Sequence, residues 1–104
     1  MSAVVFFTTV PDGRTGRRMA RELVRKRLAA CVNVIDKAVS FYRWKGRIES
    51  SAESVLIIKT VRAKSGPIDT YLKAEHPYQL PELIGLPVRS GSRGYLQWVT
   101  RSVA

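Results

Sequence analysis

The chain has 104 residues, of which 45% are hydrophobic and 25% are charged, so it holds enough apolar material for one core and too little for a second domain. We therefore predict one domain over residues 1–104. No apolar run approaches the roughly 20 residues that a membrane span needs, and the single cysteine excludes an internal disulfide. These two features predict a cytoplasmic protein. The formal net charge of +10 would attract polyanions, or it would simply keep the surface solvated.

The first predicted elements are a strand and an amphipathic helix. Residues 3–9 are mostly β-branched or aromatic, and they end at the turn signal Pro11-Asp12-Gly13. From Arg14 to about Ala30 the apolar residues recur at helical spacing. The apolar face of this helix consists of Met19, Ala20, Leu23 and Val24. The opposite face carries five arginines, which are Arg14, Arg17, Arg18, Arg21 and Arg25.

A long β-hairpin is predicted next. The segment 31–45 is strand-like at both ends, Gly46 supplies a tight reversal, and the second arm runs to Val61. The inner part of that arm, residues 55–61, is too continuously apolar for a strand with one face in water. We therefore expect both of its faces to be covered.

The remaining chain predicts a helix, a strand and a last helix. Apolar residues at helical spacing from Ile68 to Leu72 predict a short helix that ends before Pro77. Residues 82–88 are a candidate core strand, which its proline places toward a sheet edge. A C-terminal helix is predicted from the spacing of Tyr95, Leu96, Trp98 and Val99.

The order β, α, β, β, α, β with one extra helix is that of the ferredoxin-like split βαβ sandwich. We therefore predict an α+β fold: one sheet with helices on one face, an extended β-hairpin and a C-terminal helix. The hairpin arms are longer than one sheet of this size requires, so they expose backbone edges that another chain can pair with. Tyr42 and Trp44 lie two residues apart near the tip, so they share a face and offer apolar surface to such a partner.

Five segments over nearly the whole chain resemble, in order and spacing, the landmarks of the CutA family, which is named for tolerance to divalent cations. They are residues 29–34, 40–48, 53–60, 76–82 and 94–99. The chain departs from the family at residues 35–38, where a proline is common, and in its unusually basic first helix.

The resemblance implies a ferredoxin-like subunit, related to the PII signalling trimers, that assembles through its hairpin into a homotrimer. It implies a role in divalent-cation tolerance, with a PII-like signalling or assembly function. The ligand would be a metal ion, copper above all, or a small molecule held at clefts between subunits. No other cofactor is expected.

Two residues are the candidate metal ligands. Thiolate and imidazole suit copper, so Cys31 and His76 are predicted to bind it, with Met19 as a further soft ligand. The sequence has no Cys-x-x-Cys and no histidine pair on one helix face, so a closed metal site within one chain is not expected. The alternative is that Cys31 is a small buried hydrophobic residue.

Five residues are predicted to line a ligand cleft between subunits. Lys59 lies in the most apolar strand and needs a partner if it is buried, and Glu82 is the candidate. Tyr78 lies in a connection that two prolines already hold extended. With Tyr42 and Trp44 of a neighbouring subunit, these residues would hold a small ligand. The alternatives for Lys59 are a structural ion pair or a side chain that reaches the surface.

The residues predict a protein that is not an enzyme. The lone histidine has no Ser-His-Asp context, and no Gly-x-Ser-x-Gly motif is present. The rival function is nucleic-acid binding, in which the five arginines of the first helix would track phosphates. Against it, the aromatic residues needed for base stacking lie on the hairpin and the last helix, and an exposed basic helix face is more often only solvated.

Overall fold

A computed structural model of the chain describes residues 2–104. Within these residues the elements are β1 (Ala3–Val10), α1 (Gly13–Arg25), β2 (Cys31–Trp44), β3 (Arg47–Val61), a 3-10 turn (Arg62–Lys64), α2 (Ser65–Glu75), β4 (Ile84–Pro87) and α3 (Arg93–Ser102). The strands form one antiparallel sheet in the order β2-β3-β1-β4. The predicted α+β, ferredoxin-like fold is confirmed.

The main core lies between one face of the sheet and helices α1 and α2. Strands and helices both contribute side chains with no exposed surface, among them Leu56, Ile58, Met19, Leu23 and Ile68. On the other face of β3, Val55, Ile57 and Lys59 are only half-buried. Within the single chain, the prediction that both faces of residues 55–61 are covered therefore holds at Val61, which α3 covers, but not at the other three residues of that face, because neither α1 nor α2 packs there.

Helix α3 covers one end of that other face. Val99 and Val103 pack with Ala30 and Val61. Successive side chains of a strand point to opposite faces of the sheet, so Val61 lies on the face opposite the core residue Ile58. Helix α3, which packs on Val61, therefore lies on the other side of the sheet from α1 and α2. The prediction of helices on one face holds for α1 and α2 but not for α3. None of the helices in residues 2–104 is long and apolar enough to cross a membrane.

Local chemistry sets the two ends of α1. The Asp12 side chain caps its first turn by accepting a hydrogen bond from the Thr15 backbone N at 2.8 Å. Arg27 adopts a left-handed conformation, with φ at 60°, so the helix ends at Arg25 and not near Ala30. Val24 is 43% exposed, because it lies about a quarter of a turn from the centre of the buried face.

The β2–β3 hairpin projects beyond the sheet. Strand β1 pairs with β3 only as far as Ser54, so residues 38–53 form a two-stranded ribbon, called the ribbon below. Lys45 and Gly46 have φ of 52° and 79°, as a two-residue hairpin turn requires. The radius of gyration of 14.2 Å exceeds the roughly 13 Å of a compact chain of this length. The predicted extended hairpin is confirmed.

A β-bulge lies where the ribbon leaves the sheet. Asp36 and Lys37 lie opposite the single residue Ser54, and Lys37 has φ of 65°. The Ser54 hydroxyl donates to Asp36 Oδ1 at 2.8 Å, and Arg17 pairs with the same carboxylate at 3.3 Å. The extra residue shifts the alternation, so beyond it the even-numbered residues of β2 share a face with the odd-numbered residues of β3.

Strand β4 is an edge strand, as its proline predicts, but it is not a core strand. It pairs with β1 alone, and all four of its residues are exposed, including Ile84 at 54% and Leu86 at 53%. The helices α1 and α2 pack over β1 and β3, which leaves β4 uncovered in a single chain. The prediction of a buried last strand is therefore wrong.

Candidate ligand-binding cleft

A cleft of about 910 Å³, called the carboxylate cleft below, opens between the ribbon, the end of β1 and the loop 76–82. Four of the five predicted ligand residues line it, namely Tyr42, Trp44, Tyr78 and Glu82. All four belong to the same chain, whereas the sequence assigned Tyr42 and Trp44 to a neighbouring subunit. Beyond the bulge these two aromatic residues share a face with Glu53, which brings them toward the loop.

Glu53 is the buried carboxylate of this cleft, with 8% of its surface exposed. The Tyr78 hydroxyl donates to Glu53 Oε2 at 2.6 Å. Burial and this bond to a negative charge raise the pKa of Tyr78, so the phenol keeps its proton and acts as the donor. The sequence prediction missed Glu53 as a site residue. The signal available was an acidic residue just before the apolar run of β3.

His76 positions the loop of the cleft. It is 8% exposed, its Nε2 lies 2.7 Å from the Thr9 carbonyl oxygen, and its Nδ1 lies 3.0 Å from the Tyr78 backbone N. A carbonyl only accepts and a backbone N–H only donates, so Nε2 carries the proton and Nδ1 accepts. Both ring nitrogens are therefore occupied. In this geometry the predicted metal ligand His76 has no free nitrogen for a metal.

The structure does not bring the predicted metal ligands together. Cys31 is half-buried and lies level with Lys59 and Val5 across the sheet. His76 bonds at Thr9, four residues further along β1, which is roughly 13 Å at about 3.3 Å per residue. Met19 is buried among the core side chains. Among residues 2–104, no group of three or more His, Cys, Asp or Glu side chains is arranged to hold a metal ion.

The predicted pairing of Lys59 with Glu82 is wrong. The sheet register places Lys59 opposite Val5, whereas Glu82 lines the carboxylate cleft with Thr9, at the other end of β1. Lys59 does not line the carboxylate cleft, and it forms no salt bridge within the described residues. The Lys59 residue is half-buried, in keeping with the alternative of a side chain that reaches the surface.

The environment of the cleft alters the ionisation of Glu82. Burial raises the pKa of Glu82, the negative charge of Glu53 raises it further, and a hydrogen bond with the Thr9 side chain offsets part of the rise. A chain of net charge +10 thus carries a cleft that aromatic residues of the ribbon and three glutamates help to line, the glutamates being Glu49, Glu53 and Glu82. A cation bound between the carboxylates of Glu53 and Glu82 would be attracted by both charges.

We expect Glu82→Gln to change how stability depends on pH. The pKa of Glu82 is higher in the folded chain than in the unfolded chain, where it is about 4.5. As the pH rises from about 4.5 through the raised pKa, the unfolded chain loses this proton first, so the unfolding free energy of the wild type falls. The variant lacks this group. Urea unfolding at pH 4 and pH 7 should show the variant gaining stability relative to wild type as the pH rises.

Glu49→Gln is the control for this measurement, because Glu49 lines the same cleft on the exposed ribbon. It should show no such gain. If the unfolding free energies of Glu82→Gln and wild type differed by the same amount at pH 4 and at pH 7, the raised pKa of Glu82 would be contradicted.

The basic outer side of α1 is present as predicted. All five arginines are exposed; Arg17 pairs with Asp36 at 3.3 Å, and Arg18 pairs with Glu22 at 3.5 Å and with Glu75 at 3.6 Å. The other three have no ion pair within the described residues, and they are Arg14, Arg21 and Arg25. A nucleic-acid interface on this helix stays a prediction.

Comparison with known proteins identifies the family. The family model described as CutA1 divalent ion tolerance protein matches residues 4–102. The chain is 39% identical over 100 residues to Protein CutA, chloroplastic, of Arabidopsis thaliana, covering 96% of this chain and 55% of that protein. It is 43% identical over 93 residues to Protein CutA of Homo sapiens, covering 89% and 52%. The chain thus spans about half the length of these relatives.

A solved structure agrees over the whole chain. The crystal structure of CutA1 from Oryza sativa has a TM-score of 0.97 at 36% identity, covering 100% of this chain and 95% of that one. One relative is named chloroplastic, so the cytoplasmic placement of this chain stays a prediction. The resemblance seen in the sequence is confirmed. The chain belongs to the CutA1 divalent ion tolerance protein family.

Proposed function

We propose that this chain acts in divalent-cation tolerance as a homotrimeric binding protein and not as an enzyme. The carboxylate cleft holds its ligand, which is a divalent cation or a small cationic molecule. The observation that carries the proposal is the pair Glu53 and Glu82, two carboxylates that line one cleft of a strongly basic chain, where burial and the charge of Glu53 raise the pKa of Glu82.

The cleft offers suitable chemistry for a cation. Carboxylate oxygens can ligate divalent cations, the hard ones above all, and Tyr78 holds the Glu53 carboxylate in place. A cation would compete with protons for Glu82, whose pKa is raised, so binding should strengthen as the pH rises. Tyr42 and Trp44 supply aromatic faces for an organic cation. Copper, named from the resemblance, is the first metal to test.

Exposed apolar side chains on the ribbon support the trimer. Val39, Phe41 and Ile48 are 63%, 74% and 72% exposed. Cross-strand pairing puts all three on one face of the ribbon, opposite the face that carries Tyr42 and Trp44. Apolar patches of this kind mark interaction surfaces, and a second copy of the chain would cover them. A trimer would carry about three times the charge, about +30.

Assembly would also complete the ligand site. No complete metal site forms within residues 2–104 of one chain, so further ligands would come from a neighbouring subunit. The cleft lies at the ribbon, which is the segment that would meet the neighbour. This arrangement would couple ligand binding to contacts between subunits, which is the PII-like signalling role that we propose.

A copper titration tests the ligand assignment. We expect wild-type chain and Cys31→Ser to bind Cu²⁺ equally in calorimetry at pH 7, and Glu82→Gln to bind about tenfold more weakly, since one lost charge contact of about 1.4 kcal/mol has that effect. The control Glu75→Gln removes a carboxylate outside the cleft and should bind as wild type. Loss of binding in Cys31→Ser with Glu82→Gln unchanged would move the site to the thiolate.

Nucleic-acid binding is the second candidate. The three arginines of α1 without ion pairs favour it. The exposed aromatic residues that would stack bases lie elsewhere, with Tyr42 and Trp44 on the ribbon and Tyr95 and Trp98 on α3. The helix would therefore give only salt-sensitive attraction without base contacts.

A further inference from the structure

We propose that a second cleft, beside α3, binds a small organic ligand that carries two or more phosphate groups. It measures about 620 Å³ and lies between residues 89–91 and one face of α3, and it is called the arginine cleft below. It shares no lining residue with the carboxylate cleft. The proposal is independent of the function proposed above.

Three arginines line this cleft. Arg89 comes from the segment after β4, Arg93 from the first turn of α3 and Arg101 from its last turn. The lining contains no acidic residue, and none of the three guanidinium groups forms an ion pair within residues 2–104. Like charges gathered without a counter-charge repel one another, so an anion placed among them is stabilised by all three.

The walls of the cleft are held in place without a ligand. The Val88 backbone N donates to the Ala3 carbonyl at 3.0 Å, which ties the start of the segment to β1. Gly91 packs so closely on α3 that an added Cβ would lie 3.3 Å from Leu96 Cδ1. Ser92 caps α3, its hydroxyl accepting from the Tyr95 backbone N at 3.2 Å. The segment and the helix thus form a preformed frame.

The lining chemistry indicates the ligand class. Guanidinium groups present paired N–H donors that match phosphate oxygens, and three of them exceed what one phosphate group needs. Hydroxyl and amide donors are supplied by Ser90, Gln97 and Thr100, and an apolar wall by Leu96. The volume falls within the roughly 300–1,000 Å³ of small-molecule sites. A polyphosphate ester, with its phosphates on the arginines and its organic part on Leu96, fits these features.

Matched charge variants test the proposal. We expect pyrophosphate to bind wild-type chain saturably in calorimetry at about 150 mM salt, with one site per chain, and ADP to bind more tightly through its organic part. Arg93→Gln/Arg101→Gln should weaken both by about tenfold or more. Arg21→Gln/Arg25→Gln makes the same charge change on α1 and should leave both affinities within about twofold. All four arginines are exposed, so neither double variant removes a buried contact.

Other outcomes would overturn the proposal. Equal weakening in both double variants would show that pyrophosphate responds only to the overall charge of the chain. Absence of saturable binding to wild type would remove the site. If an arbitrary-sequence DNA oligonucleotide displaced pyrophosphate, and if Arg93→Gln/Arg101→Gln weakened binding of that oligonucleotide more than the control did, the cleft arginines would be assigned to nucleic acid. The copper titration is read separately, so failure of one proposal leaves the other standing.

Discussion

Replacing Phe41 and Ile48 by glutamate should convert the proposed homotrimer into single chains. Both side chains are more than 70% exposed and lie on the same face of the ribbon. Two carboxylates placed in an apolar interface lose their hydration without gaining a partner, which costs several kcal/mol for each contact surface. In light scattering at micromolar concentration, wild-type chain should give about three times 11.7 kDa and the variant 11.7 kDa.

Ala63→Glu/Thr70→Glu is the control, because it makes the same charge change on exposed positions near and on α2, away from the ribbon. It should keep the wild-type mass. A folded wild-type chain of 11.7 kDa would contradict the trimer itself. A glutamate variant that keeps the trimer mass would show that the assembly uses another surface, with the exposed residues of β4 as the next to test.

Local signals in the sequence predicted most of the fold. Gly46 marks the hairpin turn, where a positive φ is required, and Pro77 follows the last residues of α2 as its effect on the preceding residue demands. The length of the hairpin predicted its projection beyond the sheet. These features depend on residues close together in the chain, so spacing and residue type suffice to predict them.

Features set by tertiary contacts could not be predicted in this way. The pairing of Lys59 with Glu82 failed because the register between β1 and β3 decides which residues lie level, and no single strand contains that information. The bulge at Lys37 inverts the faces of β2, which brings Tyr42 and Trp44 over their own chain's cleft. Burial of β4 was expected from its composition, but the helices lie over other strands.

The occupied nitrogens of His76 were equally hidden from sequence reasoning. Residue type makes a lone histidine a metal candidate, but its role depends on Thr9, which is distant in the chain. Glu53 was overlooked for a related reason, since only the fold brings Tyr78 to its carboxylate. In both cases the sequence shows the chemistry of the side chain but does not show which residue contacts it, because that depends on the fold.

Gly85→Ala should cause the largest loss of stability among the single substitutions considered for this chain. Gly85 lies directly opposite Phe6 in the β1–β4 ladder, and an added Cβ would lie 2.5 Å from Phe6 Cε1. The Phe6 ring is 5% exposed and packs within the core, so it cannot move aside freely. We expect a cost of about 2 kcal/mol, the usual range for overpacking being about 1–3 kcal/mol. Urea unfolding at fixed chain concentration measures it.

Gly94→Ala is the matched control, because an added Cβ there meets nothing within 4 Å and alanine favours the helix α3. Both variants restrict the unfolded chain alike, so the difference between them contains the clash with Phe6 and the helix propensity gained at position 94, which is about 1 kcal/mol. Glu82 lies two residues before β4 and lines the carboxylate cleft together with Thr9. A β4 pushed away from β1 should therefore weaken Cu²⁺ binding in Gly85→Ala but not in Gly94→Ala. Equal stability of the two variants would mean that β4 can move away from Phe6 with little loss of stability. It would also mean that the carboxylate cleft does not depend on close pairing between β4 and β1.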